Sequence, residues 1–400
     1  MSNPTSELLV GLDLVPDGKQ HVLILDLYAE KDPNYKKGCV GSKTYGYSKE
    51  FDSTPWVFCM LNNFGGRLGL HGHLDNLANW IPEAYNTCKH IAGIGITPEA
   101  SFNNPVLYDF LFESVWRDSF DGEIKPIDLN AWICDYAERR YGGKSDNANK
   151  AWEILLNTVY KGELNMNGQG APEAIINSRP SLESRPASSW GNSKIAYNKS
   201  DLKKAARLLL LDYEKFKESK GYNYDLITIL QQILSNTSQD IHLEMVSAFK
   251  NKNLDEFKLK SADFLRIADL MDKVLSGSQY YLLGRWVEQA KALAQNADDF
   301  TKMLYELNAK VLITTWGSYK QCETGGLRDY SNRQWSGLVG DFYKVRWERW
   351  INERINELEG KLFQQKIDWF PWEWQWARSR KLYADKPANI DLFELSNYII

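Results

Sequence analysis

Three short apolar runs stand in the first hundred residues, each bounded by turn-forming residues: Val22–Tyr28, Trp56–Leu61 entered through Pro55, and Ile91–Ile96 ending at Thr97-Pro98-Glu99. Runs of this length predict strands buried on both faces. The intervals leave room for helical crossovers, notably Leu74 to Thr87, so the pattern is that of a parallel β/α unit. Lys31 to Asp52, rich in Gly, Lys, Tyr and Ser, predicts a long irregular loop, and loops of that length are often functional.

From about residue 104 the period changes. Apolar residues at three- and four-residue spacing predict helices over Val106–Trp116, Asp128–Tyr141, Asn147–Tyr160, Ser200–Lys217, Tyr224–Asn251, Asn253–Gly277, Tyr281–Leu307 and Gly340–Phe363. Ser200-Asp201 reads as an N-cap entry, and Gly142-Gly143 and Gly277 read as helix stops. Asn165 to Trp190, with its Ser and Pro residues, is the irregular stretch of this half. The fold class expected is α/β followed by all-α.

Composition narrows the function classes. Hydrophobic residues are 43% and charged residues 25% of the 400-residue chain, which excludes a largely disordered protein. Lys plus Arg is 48 against 52 Asp plus Glu, so no basic excess points to nucleic acid. There is no apolar run of about 18 residues to span a membrane, and Met1–Glu7 lacks the apolar segment of a secretory signal. The five cysteines (39, 59, 88, 134 and 322) form no CxxC pair and are widely spaced, so neither a zinc site nor a disulfide framework is inferred. The excess is aromatic: 15 Trp, 21 Tyr and 16 Phe. Flat C–H faces of sugars stack on such rings; the alternative is simply large cores.

Candidate chemistry sits at the strand ends. Glu99 directly follows the third run, where barrel enzymes place catalytic groups; the alternative is a loop or capping carboxylate. Asp26 and Glu30 follow the first run with the same ambiguity, and Asp26, inside an apolar run, requires a hydrogen-bonding partner. Asn62-Asn63-Phe64-Gly65-Gly66 offers amides for sugar hydroxyls and glycines for close approach, or is a tight turn. Thr315-Trp316-Gly317 with Asp329-Tyr330 is a sugar platform or a helix-packing corner. His71-Gly72-His73 lacks a supporting ligand and reads as solvated loop histidines, so no metal and no cofactor is expected. Phosphate-loop, dinucleotide, GxSxG and HExxH signatures are missing.

Taken in order, Leu25–Glu30, Pro55–Gly66, Gly93–Glu99, Arg139–Gly142, Arg179–Leu182, Tyr197–Asp201, Leu282–Ala290, Thr315–Gly317 and Asp329–Leu338 resemble the blocks of the α-N-acetylglucosaminidase family, glycoside hydrolase family 89. The resemblance runs from about residue 20 to 350. It implies the C-terminal part of a (β/α)8 barrel over residues 1–120 and a large all-α domain over 121–400. It further implies a retaining exo-glycosidase acting on a glycan with terminal α-linked N-acetylglucosamine. Glu99 matches the family nucleophile. Trp316 and Tyr330 match aromatic pocket residues, Leu327 an apolar pocket position, and Asn63 a motif beside the pocket. Where the family has a pocket histidine this chain reads Asn167–Ala171, so that either Gln169 or Asn167 substitutes or the contact is lost.

The family's acid/base glutamate lies well over a hundred residues before the nucleophile, whereas 98 residues precede Glu99. The expectation is a chain that supplies the nucleophile and part of the sugar pocket, with the missing N-terminal barrel half as partner. The alternative is an inactive carbohydrate-binding or helical interaction protein derived from the family. Family members are often lysosomal, secreted or periplasmic, and the sequence assigns no compartment.

Overall fold

The computed structural model describes residues 11–39, 50–100, 102–116, 122–165 and 168–400. The three apolar runs form parallel strands β1 (Ile24–Asp26), β2 (Trp56–Met60) and β3 (Ile91–Ile96), ordered β1-β2-β3. Sequential order in one parallel sheet requires a crossover between each pair. The helix Leu74–Thr87 supplies the second, as the spacing predicts.

The two sheet faces differ sharply. Trp56, Phe58 and Met60 point to one side, are fully buried, and pack in one cluster with Leu77 and Ile81 of the crossover helix and Phe110 of the helix Pro105–Val115. On the other side Val57 stands in register with Leu25 and Gly93. The leucines of this face, Leu23, Leu25 and Leu27, are 54%, 48% and 51% exposed. The expectation of strands buried on both faces therefore fails for β1, and also for β3, in which no residue is fully buried and Ala92 and Ile96 are exposed.

Part of the expected loop Lys31–Asp52 lies outside the described residues, and its two ends are helical turns, Asn34–Cys39 and Glu50–Ser53. Asp26 has the partners that burial demands: it accepts from Asn34 N at 2.8 Å, Asn34 Nδ2 at 2.9 Å and Tyr35 N at 3.1 Å. It thereby ties the first of these turns to the end of β1.

The rest is helical. Lys220–Lys250 and Leu254–Ser276 form an antiparallel hairpin at the centre, reversed at Asn251–Asn253, where Lys252 takes a left-handed φ of 55° and the Asn253 side chain caps Glu256 N. The first of these helices is buried nearly all round, polar residues included, because it touches the sheet unit, where Gln232 Oε1 accepts from Leu70 N at 3.0 Å, and also the helix Leu129–Tyr141, where Asp225 accepts from Arg140 Nε and Nη2 at 2.6 and 2.8 Å.

Three of the expected helix ranges and one N-cap need correction, and both glycine stops hold. The expected helix Tyr281–Leu307 is two, Leu283–Leu293 and Asp299–Leu312, because Asp298 caps the second through Thr301 N. Ser200–Lys217 divides into Lys199–Leu210 and a turn at Tyr213–Phe216, and its N-cap is Asn198, not Ser200. Gly340–Phe363 begins as a π-helical turn at Val339–Tyr343 and ends at Leu358. Gly142 stops its helix in the left-handed conformation with φ 83°, whereas Gly277 ends its helix with φ −73°. The tail adds helices Phe370–Arg378 and Leu392–Ile399.

Candidate active site

Hydrogen bonds continue past the strand ends and fix the geometry there. Thr97 N donates to Met60 O at 2.9 Å, Thr97 Oγ1 to Leu27 O at 2.9 Å, and Glu99 N to Asn63 O at 3.0 Å. Glu99 is thus pinned against the Asn62–Gly66 turn. Its Oε2 accepts from Gly65 N at 2.5 Å and from the Tyr330 hydroxyl at 2.6 Å, across 231 residues of sequence. Burial, reinforced by that hydrogen bond to Glu99, pushes the Tyr330 phenol well above its usual range, so Tyr330 remains a donor.

The two glycines are steric requirements. A Cβ on Gly65 would stand 2.5 Å from Tyr330 O, and one on Gly66 1.9 Å from Arg333 Nη2; both have left-handed φ, 63° and 87°. Arg333 lies flat against this turn and donates to Gly65 O and Ser331 O. Burial pushes its guanidinium down to about 10. Among the described residues no carboxylate pairs with it.

The Tyr330 ring meets Trp316 edge-to-face, with centroids 5.6 Å apart and planes at 87°. Both aromatics are presented by strained backbone: Trp316 has φ 62° and Asp329 φ 55°. Each such residue costs about 1–3 kcal/mol and persists only where its surroundings over-determine it. Here they do. Trp316 N donates to Val311 O at 2.7 Å, Asp329 N to Thr314 O at 2.8 Å, and the Asp329 carboxylate accepts both Nη atoms of Arg346 at 3.1 Å. Arg346 and Arg179 also share Glu373, and Arg179 reaches Glu323. Burial alone would raise the Glu373 carboxyl, but Arg346 and Arg179 outweigh it and hold it below the usual range.

A second buried pair backs the site from the other side. Arg67 Nη1 meets Glu173 Oε1 at 3.1 Å, and the guanidinium lies 5.7 Å from the Tyr330 ring centroid. Glu173 also accepts from Ser188 N, Ser188 Oγ and Asn332 Nδ2.

A cavity of about 600 Å³ opens between the sheet unit and the helices, and Glu99, Trp316 and Tyr330 all line it, with Arg333, Trp335 and Trp286. Two other sequence candidates stand outside its lining. Asn63 is buried and donates to Asn103 Oδ1 at 2.6 Å. Leu327 is half-buried, and its carbonyl accepts from Tyr330 N at 3.1 Å. Glu30 is buried beneath the site, bonded to Leu61 N at 3.1 Å and Asn62 N at 2.7 Å; burial pushes its carboxyl up to about 8. Gln169 is half-buried and outside the lining, and Asn167 lies outside the described residues.

The histidine pair departs from expectation. His71 and His73 are 1% exposed and meet edge-to-face at 5.2 Å, so they are core groups rather than solvated ones. Burial lowers His73 to about 3. Arg67, Glu173 and Arg333 were not singled out by sequence reasoning. Arg67 and Glu173 lie 106 positions apart with no local pattern. Arg333 stands inside the Asp329–Leu338 block, which was the available signal.

A carboxylate at the end of a parallel strand, facing an aromatic cavity shared with a helical domain, defines a barrel-type carbohydrate-active protein. Comparison with known proteins makes this specific. Residues 132–400 match the model of the α-N-acetylglucosaminidase (NAGLU) C-terminal domain and residues 3–118 that of its TIM-barrel domain, so the chain belongs to this family. It is 32% identical over 406 aligned residues to human α-N-acetylglucosaminidase, covering 98% of this chain and 49% of that protein. A family 89 glycoside hydrolase from Clostridium perfringens in complex with PUGNAc superposes with TM-score 0.91 and 40% identity, covering 99% of this chain and 43% of the other. The same hydrolase carrying two Glu→Gln substitutions, in complex with its substrate GlcNAc-α-1,4-galactose, gives TM-score 0.88 and 40% identity, over 95% and 42% of the respective chains. The chain therefore spans about half the length of the relatives it matches.

Proposed function

We propose that this chain supplies the nucleophile and part of the sugar pocket of a retaining exo-glycosidase that releases terminal α-linked N-acetylglucosamine. The observation that carries the reading is the Glu99 carboxylate on the cavity wall, with Oε2 held by Tyr330 and Gly65 N. Tying one oxygen leaves Oε1 free to attack the anomeric carbon and form a covalent glycosyl-enzyme ester, which water then hydrolyses. Preorganised donors on Oε2 cost no rearrangement during the reaction.

A retaining mechanism needs a second carboxyl about 5 Å away as acid and then base. Among the described residues, Glu99 is the one carboxylate lining the cavity. The second is assigned to further barrel segments, and the exposed leucines Leu23, Leu25 and Leu27, on and beside β1, support a face on which such segments pack. One alternative has support from the same observation: with a single carboxylate in the cavity, the chain by itself could hold sugar without hydrolysing it.

The test is complementation. The chain is combined with the separately produced N-terminal barrel half of a family relative, and hydrolysis of an aryl α-N-acetylglucosaminide is measured. Glu99→Gln, which keeps size and removes the attacking charge, is expected to lower turnover at least about 10³-fold. Near wild-type turnover in that variant overturns the assignment.

A further inference from the structure

Two buried guanidinium groups grip the turn that carries Gly65. Arg67 Nε donates to Phe64 O at 3.0 Å, and Arg333 donates to Gly65 O. The Phe64 carbonyl and the Gly65 N–H belong to one peptide group, and that N–H donates to Glu99 Oε2 at 2.5 Å. An unbroken line of polar contacts therefore runs from the Arg67 cation, through a single peptide, to the Glu99 carboxylate. Hydrogen bonds in such a chain polarise one another, so a cation on the carbonyl oxygen makes the N–H of the same peptide a stronger donor.

Arg67 also reaches the other donor. Its guanidinium lies 5.7 Å from the centroid of the Tyr330 ring, whose hydroxyl is the second group on Oε2. Its charge opposes the rise that burial and Glu99 impose on that phenol, which favours donation. Both hydrogen bonds to the carboxylate are thus under the influence of one cation. Arg67 itself is 3% exposed and stands outside the cavity lining, so it acts on the reaction only through other groups. The alternative is an ion pair that merely joins two loops, through Nη1 and Glu173 Oε1. That pairing leaves unexplained why Nε is given to the one peptide that faces Glu99, and apolar side chains of similar size would join the loops without the cost of burying two charges.

Resting on the reading of Glu99 given above, we propose that Arg67 is a positioning residue for the nucleophile: through the Phe64–Gly65 peptide and the Tyr330 ring it strengthens both donors on Oε2, with Glu173 as its buried counterion. The consequence falls on the second half of the reaction. As water attacks the anomeric carbon, the bond from that carbon to the Glu99 ester oxygen breaks and its electron pair returns to the carboxylate, while the proton of the water passes to the second carboxyl. The charge that reappears spreads onto Oε2, where donors already in place meet it.

Arg67→Met alone would strand the Glu173 charge, so the test uses Arg67→Met together with Glu173→Gln, with the thermal unfolding transition as the check on folding. On the chain by itself, NMR of glycine-labelled protein reads the Gly65 amide proton. It is expected to move upfield in the double variant, and also in Glu99→Gln, because both weaken the same hydrogen bond. An unmoved Gly65 signal in the double variant overturns the relay and leaves the Glu99 assignment standing. In the complemented enzyme the double variant is expected to lower hydrolysis of an aryl α-N-acetylglucosaminide about fivefold. The same change is then made in Glu99→Ala supplied with azide, which attacks the anomeric carbon in place of the carboxylate, expels the phenolate and leaves a glycosyl azide of inverted configuration. There the double variant is expected to have no effect, since the carboxylate it acts through is gone. An equal loss in both backgrounds means that the pair only holds the shape of the site, and overturns the inference alone. Unaltered hydrolysis in the double variant overturns it as well. Hydrolysis that persists in Glu99→Ala without any azide product overturns the reading of Glu99, and the role of Arg67 with it.

Discussion

At the scale of single residues the account depends on one hydrogen bond, Tyr330 to Glu99 at 2.6 Å. A hydrogen bond to a charged group contributes about 1.5–3 kcal/mol. Tyr330→Phe is therefore expected to lower turnover of the complemented enzyme about 10- to 100-fold, with KM nearly unchanged, because the lost contact is to the proposed nucleophile rather than to substrate. A rise in KM with kcat intact would assign Tyr330 to substrate binding instead. Glu30 gives a pH prediction. Its folded carboxyl sits at about 8 against an ordinary value of 4.5, raised by burial. Raised means that the neutral form is favoured in the fold, so its contribution to stability is full below pH 4.5 and is lost as pH rises toward 8. Urea titrations across that interval should show Glu30→Gln removing part of the decline. Glu99 was legible in the sequence because an apolar strand run ends three residues before it, at a position where such folds keep their chemistry. Arg67 and Glu173 were not, since a buried ion pair between two loops leaves no periodic trace.

At the scale of elements, what matters is how the segment Thr314–Trp335 is held in a strained shape. Arg346, with no solvent exposure, links that segment through Asp329 to the helix Phe370–Arg378 through Glu373. Removing one partner of a buried pair costs about 3–5 kcal/mol because the other charge is stranded. Arg346→Met is expected to destabilise the chain by about that amount in denaturant titration and to broaden the Trp316 indole signal in NMR. A change within about 0.5 kcal/mol would mean that the strained residues are held by packing alone. The helices themselves were largely legible, because their apolar spacing is long and regular. Their breaks were not: Ala290 to Ala297 continues a helix-compatible composition across the gap between Leu293 and Asp299, and only the Asp298 cap to Thr301 N decides where the second helix starts. The tail helices Phe370–Arg378 and Leu392–Ile399 are short and aromatic-rich, and they are settled by tertiary contacts.

At the scale of the whole molecule, the cavity is assembled from both parts of the chain, and that could not be derived from periodicity. Loop residues at 65 and 99 meet residues at 316, 330 and 333 through long-range bonds, Tyr330 to Glu99, Arg333 to Gly65 O and Arg67 to Glu173, and the central helix Lys220–Lys250 adds one from Leu70 N to Gln232. The family resemblance implied the sharing, and the hydrogen bond over 231 residues is its physical form. With one carboxylate among the described residues that line the cavity, the chain by itself is expected to show no turnover of GlcNAc-α-1,4-galactose, since an unassisted sugar leaving group forgoes the roughly 10²–10⁴-fold of general acid catalysis. Full turnover by the purified 400-residue chain would mean that another acid of this sequence protonates the leaving group.

The central claim, that Glu99 attacks the anomeric carbon, is tested most directly by trapping the glycosyl-enzyme. The chain, complemented with a relative's barrel half, is incubated with a 5-fluoro-α-N-acetylglucosaminyl fluoride. This substrate slows breakdown of the ester more than its formation, and the labelled peptide is then mapped by mass spectrometry. The account predicts one sugar adduct, on Glu99, absent from Glu99→Gln. An adduct on any other carboxylate, in this chain or in the complementing half, would contradict it.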